Sequence, residues 1–360
     1  MSFALKLPLS GANLIKDTIK WLRDNQMWPK RAKVQKVDNG FVFPLLCTER
    51  RDAVNICTHF GVCELIEPNE SLTTWESSQQ KFSRYLDEHD VPPIKMKIDR
   101  YGDIAVVFIP TDKQIHKNIY GNAFLHVFSD FDRVCIKSVQ CDGTFRAAQY
   151  EIIAKRDGAP NDLCSIYTES GTRLHIDLNK FFFSSRLASE RKRLRNAIQE
   201  EESVLVMFAG SGPFGTVIAR ENPFVKRLTM IEMNPECENY IEKNINENNL
   251  ENVVDFFIGD VNVVLPELDG IYNRFVLPCP RIAIDYVPLL IENQRIFADN
   301  CFLHLYVFCS EEELQSHIIR AISMLEGALM DILKVESHKS GSQNASTIRF
   351  CIDIEFKRTD

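Results

Sequence analysis

The chain has 360 residues, 45% of them apolar, and a net charge of −8. That length and apolar fraction suffice for two or three domains with buried cores, so a soluble globular protein is expected. The acidic balance argues against a surface that wraps a polyanion throughout, but it permits a local basic face.

In chain order, residues 12–28 place Leu14, Ile15, Ile19 and Leu22 at helical spacing, and Lys33 to Leu45 reads as two strands turned by Asp38-Asn39-Gly40. Lys30, Arg31, Lys33 and Lys36 add a basic cluster, a pattern that a solvated face also produces. Between Pro68 and Val91 the composition turns polar, predicting a linker, a surface helix and a boundary near residue 70. Ile94, Met96 and Ile98 alternate with Lys95 and Lys97, Tyr101-Gly102 predicts a turn, and Ile104 to Ile109 a returning strand. From about residue 200, apolar strands at 204–208, 227–232, 253–258, 274–277 and 302–308 alternate with helical stretches at 235–248 and 311–325. Alternation of this kind predicts a doubly wound α/β fold with a mostly parallel sheet.

The eleven cysteines form no Cys-x-x-Cys pair and no Cys/His cluster at zinc spacing, so neither a disulfide framework nor a metal is expected. The first residues, MSFALKLPLS, lack the charged and apolar regions of a signal peptide, and no apolar run approaches the roughly 20 residues that span a bilayer. No membrane partner is expected. A cytoplasmic location is, with the nucleus and mitochondrion as further addresses.

The first strand of the α/β region runs into a glycine turn, "VLVMFAGSGPFG" at 204–215. In a doubly wound sheet this turn lies where ligands bind, and Gly210 and Gly212 allow close backbone approach. A purely structural turn accounts for the glycines equally well. Glu232 ends the second strand, 22 residues beyond Gly210, where an acid can accept from both hydroxyls of a ribose, and Asp260 follows the third, within reach of an adenine amino group. There is no Gly-Lys-Ser/Thr, and Gly215-Thr216 stands out of register with the third glycine of the dinucleotide fingerprint. Ribose and adenine without pyrophosphate point to S-adenosylmethionine. Phe208, Met233 and Val261 complete the expected cofactor contacts.

"GTFR" at 143–146, "FFFSSRLASER" at 181–191, "MFAGSGPF" at 207–214, "IEMNP" at 231–235 and "VLPCPR" at 276–281 together resemble the archaeal and eukaryotic tRNA (guanine-37-N1) methyltransferase family. The resemblance runs over almost the whole length. It implies a Rossmann-like class I methyltransferase domain at 139–360, preceded by two small α+β modules, at 1–66 and 70–138. The first of these would bind the outer region of a tRNA, and a monomer is expected. Removing the N1 proton of guanine builds negative charge on O6, which calls for a base and a fixed cation. The resemblance assigns the base to Glu190 and the cation to Arg146, with Arg186 holding the catalytic loop or a phosphate. From spacing alone, Glu190 reads instead as a surface ion-pair partner of the cations that follow it.

Lys180, Arg186, Arg191, Lys192, Arg193 and Arg195 make residues 180–195 the most basic stretch, expected to meet the RNA backbone chiefly through Lys192 and Arg193. Phe182 would stack on an extruded base, although a triple Phe is also ordinary core, and Pro278 and Arg281 would line the substrate side. The sequence departs from the family pattern at Val206, where an acid is usual, at Phe182 for tyrosine, Ser185 for proline and Pro278 for asparagine. Two alternatives stand beside the methyltransferase: an aminocarboxypropyl transferase of wybutosine synthesis, and a catalytically diverged tRNA-binding pseudoenzyme.

Overall fold

The computed structural model describes residues 4–8, 15–25, 35–37, 40–45, 54–56, 58, 59, 64–66, 77–139, 148–342 and 346–359. They fall into two compact units, residues 1–93 with 126–128, and residues 94–125 with 129–360. The stretch 70–138, read from sequence as one module, is thus divided between them.

In the first unit, β1 (Ala4–Pro8), β2 (Gln35–Val37), β3 (Gly40–Pro44) and β4 (Glu64–Ile66) form an antiparallel sheet of order β2-β3-β1-β4. Val37 pairs with Gly40, so β2 and β3 are the hairpin expected around Asp38-Asn39-Gly40. Helix α1 (Ile15–Asp24) buries Leu22, and α2 (Ser78–Glu88) starts from a capping box in which the Ser77 and Gln80 side chains each accept the other's main-chain N–H. Lys30, Arg31 and Lys33 lie outside the described residues.

The second unit begins with a mixed sheet, β5 (Ile98–Tyr101), β6 (Ile104–Val107), β7 (Arg133–Val139) and β8 (Gln149–Lys155), with α3 (Lys117–Val127) joining β6 to β7. Residues 94–97 are not strand, and the turn falls on Gly102-Asp103, because Tyr101 still pairs with Ile104. A hairpin follows, β9 (Cys164–Glu169) and β10 (Thr172–Asp177), closed by Ser170 and Gly171 with φ of 47° and 80°, the backbone that matches strand twist.

The large sheet has seven strands: β11 (Ser203–Met207), β12 (Arg227–Glu232), β13 (Val254–Ile258), β14 (Tyr272–Leu277), β15 (Phe297–Cys309), β16 (Met330–Ser342) and β17 (Ile348–Arg358). Their order is β13-β12-β11-β14-β15-β17-β16, parallel up to β15 and antiparallel at β17 and β16. Helices α4 (Ala188–Ala197), α5 (Pro213–Glu221), α6 (Glu238–Glu247), α7 (Val261–Glu267), α8 (Val287–Glu292) and α9 (Glu311–Gly327) lie along the chain between these strands or just before them. All five residues of β11 are buried, as a central parallel strand requires. Val204 and Val206 join one core and Leu205 and Met207 another, so the sheet is packed on both faces. Among the described residues no helix is long and apolar enough to cross a membrane.

Candidate active site at the carboxyl edge of the sheet

Strand β11 is flanked by β12 and β14, so the strand order reverses there and opens a crevice at the carboxyl ends. The chain leaves β11 through Phe208, Gly210 and Gly212, all left-handed with φ of 57°, 59° and 80°. For a phenylalanine that backbone costs on the order of 1 kcal/mol or more, and such strain collects at functional sites. The Phe208 ring packs edge-on against Tyr286, centroids 4.9 Å apart. A Cβ at Gly215 would overlap the Met230 sulfur and stand 2.9 Å from a Leu228 methyl. Gly215 thus permits the close approach of α5 to β12, the packing role expected of a third glycine.

Glu232 ties the turn to the next strand. The Gly210 N–H donates to its Oε2 at 2.7 Å, and the Asn234 N–H donates to its Oε1 at 2.8 Å. A carboxylate offers about four acceptor positions, so capacity remains for a ligand. Burial raises the proton affinity of Glu232, opposed by the N–H groups of Asn234, Gly210 and Met233. Met233 is exposed beside it. Asp260 caps α7, its Oδ1 accepting from the Asn262 N–H at 2.9 Å and the Asn262 Nδ2 at 2.8 Å; Oδ2 has no hydrogen bond among the described residues. The Val261 side chain lies in the core, which leaves only its main chain for a ligand.

Pro278, the glycine turn, Glu232 and Asp260 follow four neighbouring strands, a row about 14 Å across at the usual strand spacing. Above Gly210 the crevice is open: an added Cβ would meet nothing nearer than the Phe182 carbonyl oxygen, 3.9 Å away. Phe182 is 47% exposed, whereas Phe181 and Phe183 are buried. The three phenylalanines are therefore two core residues and one ring in solvent beside the glycine turn. Arg281 is exposed just beyond Pro278, with no ion pair among the described residues. Arg146 lies outside the described residues, between β7 and β8.

The basic stretch is largely neutralised from within. Lys180 pairs with Glu236, Arg186 with Asp99, Arg191 with Glu169 and Arg195 with Glu221. Arg193 binds Glu190 through two nitrogens at 2.9 and 2.7 Å and reaches Asp353 at 2.5 Å, so it is not the solvent-facing phosphate ligand expected from sequence. Its paired hydrogen bonds outweigh burial and raise its pKa. Lys192 alone in this stretch is exposed with no ion pair among the described residues.

Glu190 is buried, 5% exposed, and also accepts from the Tyr306 hydroxyl at 2.6 Å. It is an ion-pair partner, as spacing suggested, but inside the protein. From Asp353 the chain of contacts continues to His304 Nδ1 at 2.7 Å, from His304 Nε2 to Arg274 at 2.6 Å, and from Arg274 to Glu202 at 2.7 Å. Arginine only donates, so His304 Nε2 accepts and its proton sits on Nδ1. Burial lowers the pKa of His304 and would raise that of Asp353, but His304 and Arg193 hold Asp353 well below the usual carboxylate range. His304, Cys351 and Asp353 bring donor atoms within 4.8 Å of one another. Two guanidiniums already occupy the outer positions of that group, so a divalent cation would meet like charge there. The sequence reading missed Tyr306, His304 and Asp353; their signal is polar residues at alternate positions of apolar strands, in "FLHLYVF" and "FCIDIEF".

Residues 165–332 match the TRM5/TYW2 methyltransferase domain. Over 262 residues the chain is 31% identical to the tRNA (guanine(37)-N(1))-methyltransferase Trm5b of Pyrococcus abyssi, covering 72% of this chain and 74% of that protein. Among solved structures, a complex of aTrm5 with tRNALeu superposes with a TM-score of 0.64 at 22% identity, over 99% of this chain and 100% of that one. The TYW2 of M. jannaschii, solved in complex with AdoMet, gives 0.55 at 20% identity, over 73% of this chain and 100% of that one.

Proposed function

The chain belongs to the TRM5/TYW2 methyltransferase family, and on that premise we propose that it methylates N1 of guanine 37 in tRNA, with S-adenosylmethionine as methyl donor. The observation that carries the proposal is Glu232 joined to Gly210 at the switch point, with acceptor capacity to spare and open space above the glycine.

Those residues fit the cofactor. Glu232 would hold the ribose diol, Asp260 Oδ2 an amino group, and Phe208, Gly210, Gly212 and Met233 the remaining contacts. Between Pro278 and Asp260 the strand-end turns carry no lysine or arginine, as suits a ligand without a pyrophosphate. Bound there, the cofactor supplies an electrophilic methyl group.

The chain's own residues must orient the guanine, exclude water and take the N1 proton. Phe182 offers a ring to the displaced base, and Lys192 and Arg281 are exposed cations for the RNA backbone. The resemblance gives Glu190 the proton and Arg146 the growing O6 charge. A second reading of Glu190, favoured by its burial and its double bond to Arg193, is that it fixes α4 against β15 and β17 rather than touching substrate. The residues before 67 would hold the outer region of the tRNA, and no step requires a second copy of the chain.

The test is to incubate the protein with an unmodified tRNA transcript and S-adenosylmethionine and weigh the nucleoside released from position 37. A single added methyl on N1 is expected. A heavier aminocarboxypropyl adduct, or no transfer, overturns the proposal.

A further inference from the structure

Arg349, half-buried, stands apart from the other buried or half-buried arginines of the large sheet and its neighbours. Arg133, Arg191, Arg193 and Arg274 each meet at least one carboxylate. Arg349 makes no ion pair among the described residues, and its Nε, like that of Arg133, is buried without a hydrogen-bond partner. Burial presses its guanidinium below the usual arginine range, while Tyr306 and Glu190 nearby oppose that. A partly desolvated charge without a counter-ion is costly to keep, and groups held at such cost collect where a ligand supplies what is missing.

Its place in the fold suits such a ligand. Arg349 pairs across the strands with Phe308, near the carboxyl end of β15, and its guanidinium stands 5.0 Å over the Phe308 ring. The Phe308 N–H donates to the Pro280 carbonyl at 3.1 Å, so Arg349 lies one strand beyond the segment Pro278 to Arg281. Cys351 and Asp353 follow it at alternate positions of β17, which puts Arg349 on the sheet face that carries the Glu190 network. The guanidinium therefore stands over an aromatic ring near the carboxyl end of β15, and its side chain makes no hydrogen bond among the described residues.

We propose that Arg349, seated over Phe308, receives an anionic oxygen of the RNA substrate. This rests on the function proposed above. The oxygen comes either from a backbone phosphate of the anticodon loop or from the target base itself, whose O6 turns negative as N1 loses its proton; a planar guanidinium serves both.

The experiment compares the parent with Arg349→Met and Arg349→Lys, reading the melting temperature without RNA, the tRNA dissociation constant with its salt slope, and the single-turnover methylation rate at saturating tRNA. Methionine removes an unpaired, partly buried charge, so Arg349→Met should melt at or above the parent temperature. If the partner is a phosphate, tRNA affinity falls and the salt slope drops by about 0.7, with the saturated rate little changed. If it is the base oxygen, affinity and slope hold while the rate falls on the order of 10²-fold or more, and Arg349→Lys restores part of it. Either pattern supports the proposal. Parent-like affinity and rate in Arg349→Met overturn it. So does a variant that melts lower and regains parent activity when assayed well below both melting points, since Arg349 is then a structural residue. A parent that transfers no methyl group defeats the function reading instead, and the affinity and salt slope of Arg349→Met still decide whether Arg349 meets RNA.

Discussion

Arg193 and Asp353 lie 160 residues apart in sequence and meet at 2.5 Å, with Glu190 on the other side of the same guanidinium. Removing Arg193 leaves two acids without their cation, so Arg193→Met should destabilise the fold by about 3 kcal/mol, read from denaturant unfolding. Lys192→Glu, one residue away, should change stability by no more than about 0.5 kcal/mol and weaken tRNA binding instead. A stable Arg193→Met protein would show that the ion pairs do little to hold the fold.

Glu232→Gln should weaken S-adenosylmethionine binding by about 1.5 to 3 kcal/mol, the scale of a hydrogen bond to a charged group. The amide keeps one acceptor oxygen, so it cannot serve both the Gly210 and Asn234 N–H groups and a diol as well. Calorimetry decides, and an unchanged dissociation constant removes Glu232 from the cofactor site.

Glu190→Gln separates the two roles open to that residue. As proton acceptor it should cost single-turnover methyl transfer a factor of about 10² to 10⁴, with tRNA and cofactor affinity little changed. As a purely structural residue it should lower the melting temperature, because Arg193 loses a charged partner, and leave the rate near that of the parent at low temperature. Measuring both quantities on one preparation settles the question.

Acid should weaken the fold over two pH ranges. Burial lowers the pKa of His304 despite Asp353 beside it, and His304 and Arg193 hold that of Asp353 down against its burial, so each takes up a proton more readily in the unfolded chain. Their contributions are present above the unfolded values and lost as pH falls, His304 from about 6.5 downward and Asp353 from about 3.9 downward. Unfolding free energy measured against pH should slope less in His304→Gln between pH 6.5 and 4, and less in Asp353→Asn below pH 4. Slopes equal to the parent's would mean that these groups titrate alike in both states.

Gly215→Ala should destabilise by about 1 to 3 kcal/mol, since the new methyl overlaps Met230 and crowds Leu228 unless α5 moves off β12. Pairing it with Met230→Ala makes room and should recover part of the loss. A neutral single substitution would mean the helix shifts freely.

The parallel strands were legible because each is a short apolar run, and the switch point followed from the glycine turn and the acids spaced after it. Strand β16 escaped notice: at the sheet's edge its residues are mostly polar and show no clean alternation. The basic stretch misled for a different reason. Its charges are visible locally, whereas Asp99, Glu169, Glu221 and Asp353, which answer them, come from β5, β9, α5 and β17. Phe182 could not be told from Phe181 and Phe183 until the chain was seen to turn one ring outward beside Gly210.

Helix α4 also bears on how this protein can be recombined. Its arginines at 191, 193 and 195 are answered by acids on three separate elements, so the helix is not an exchangeable cassette. A chimera taking residues 188–197 from a relative that lacks these arginines would leave Glu169 and Asp353 without their cations, and should be less stable than one in which positions 169, 221 and 353 come from the same parent. Shuffled libraries should therefore be enriched, among folded progeny, in chains whose positions 169, 221 and 353 share the ancestry of residues 188–197.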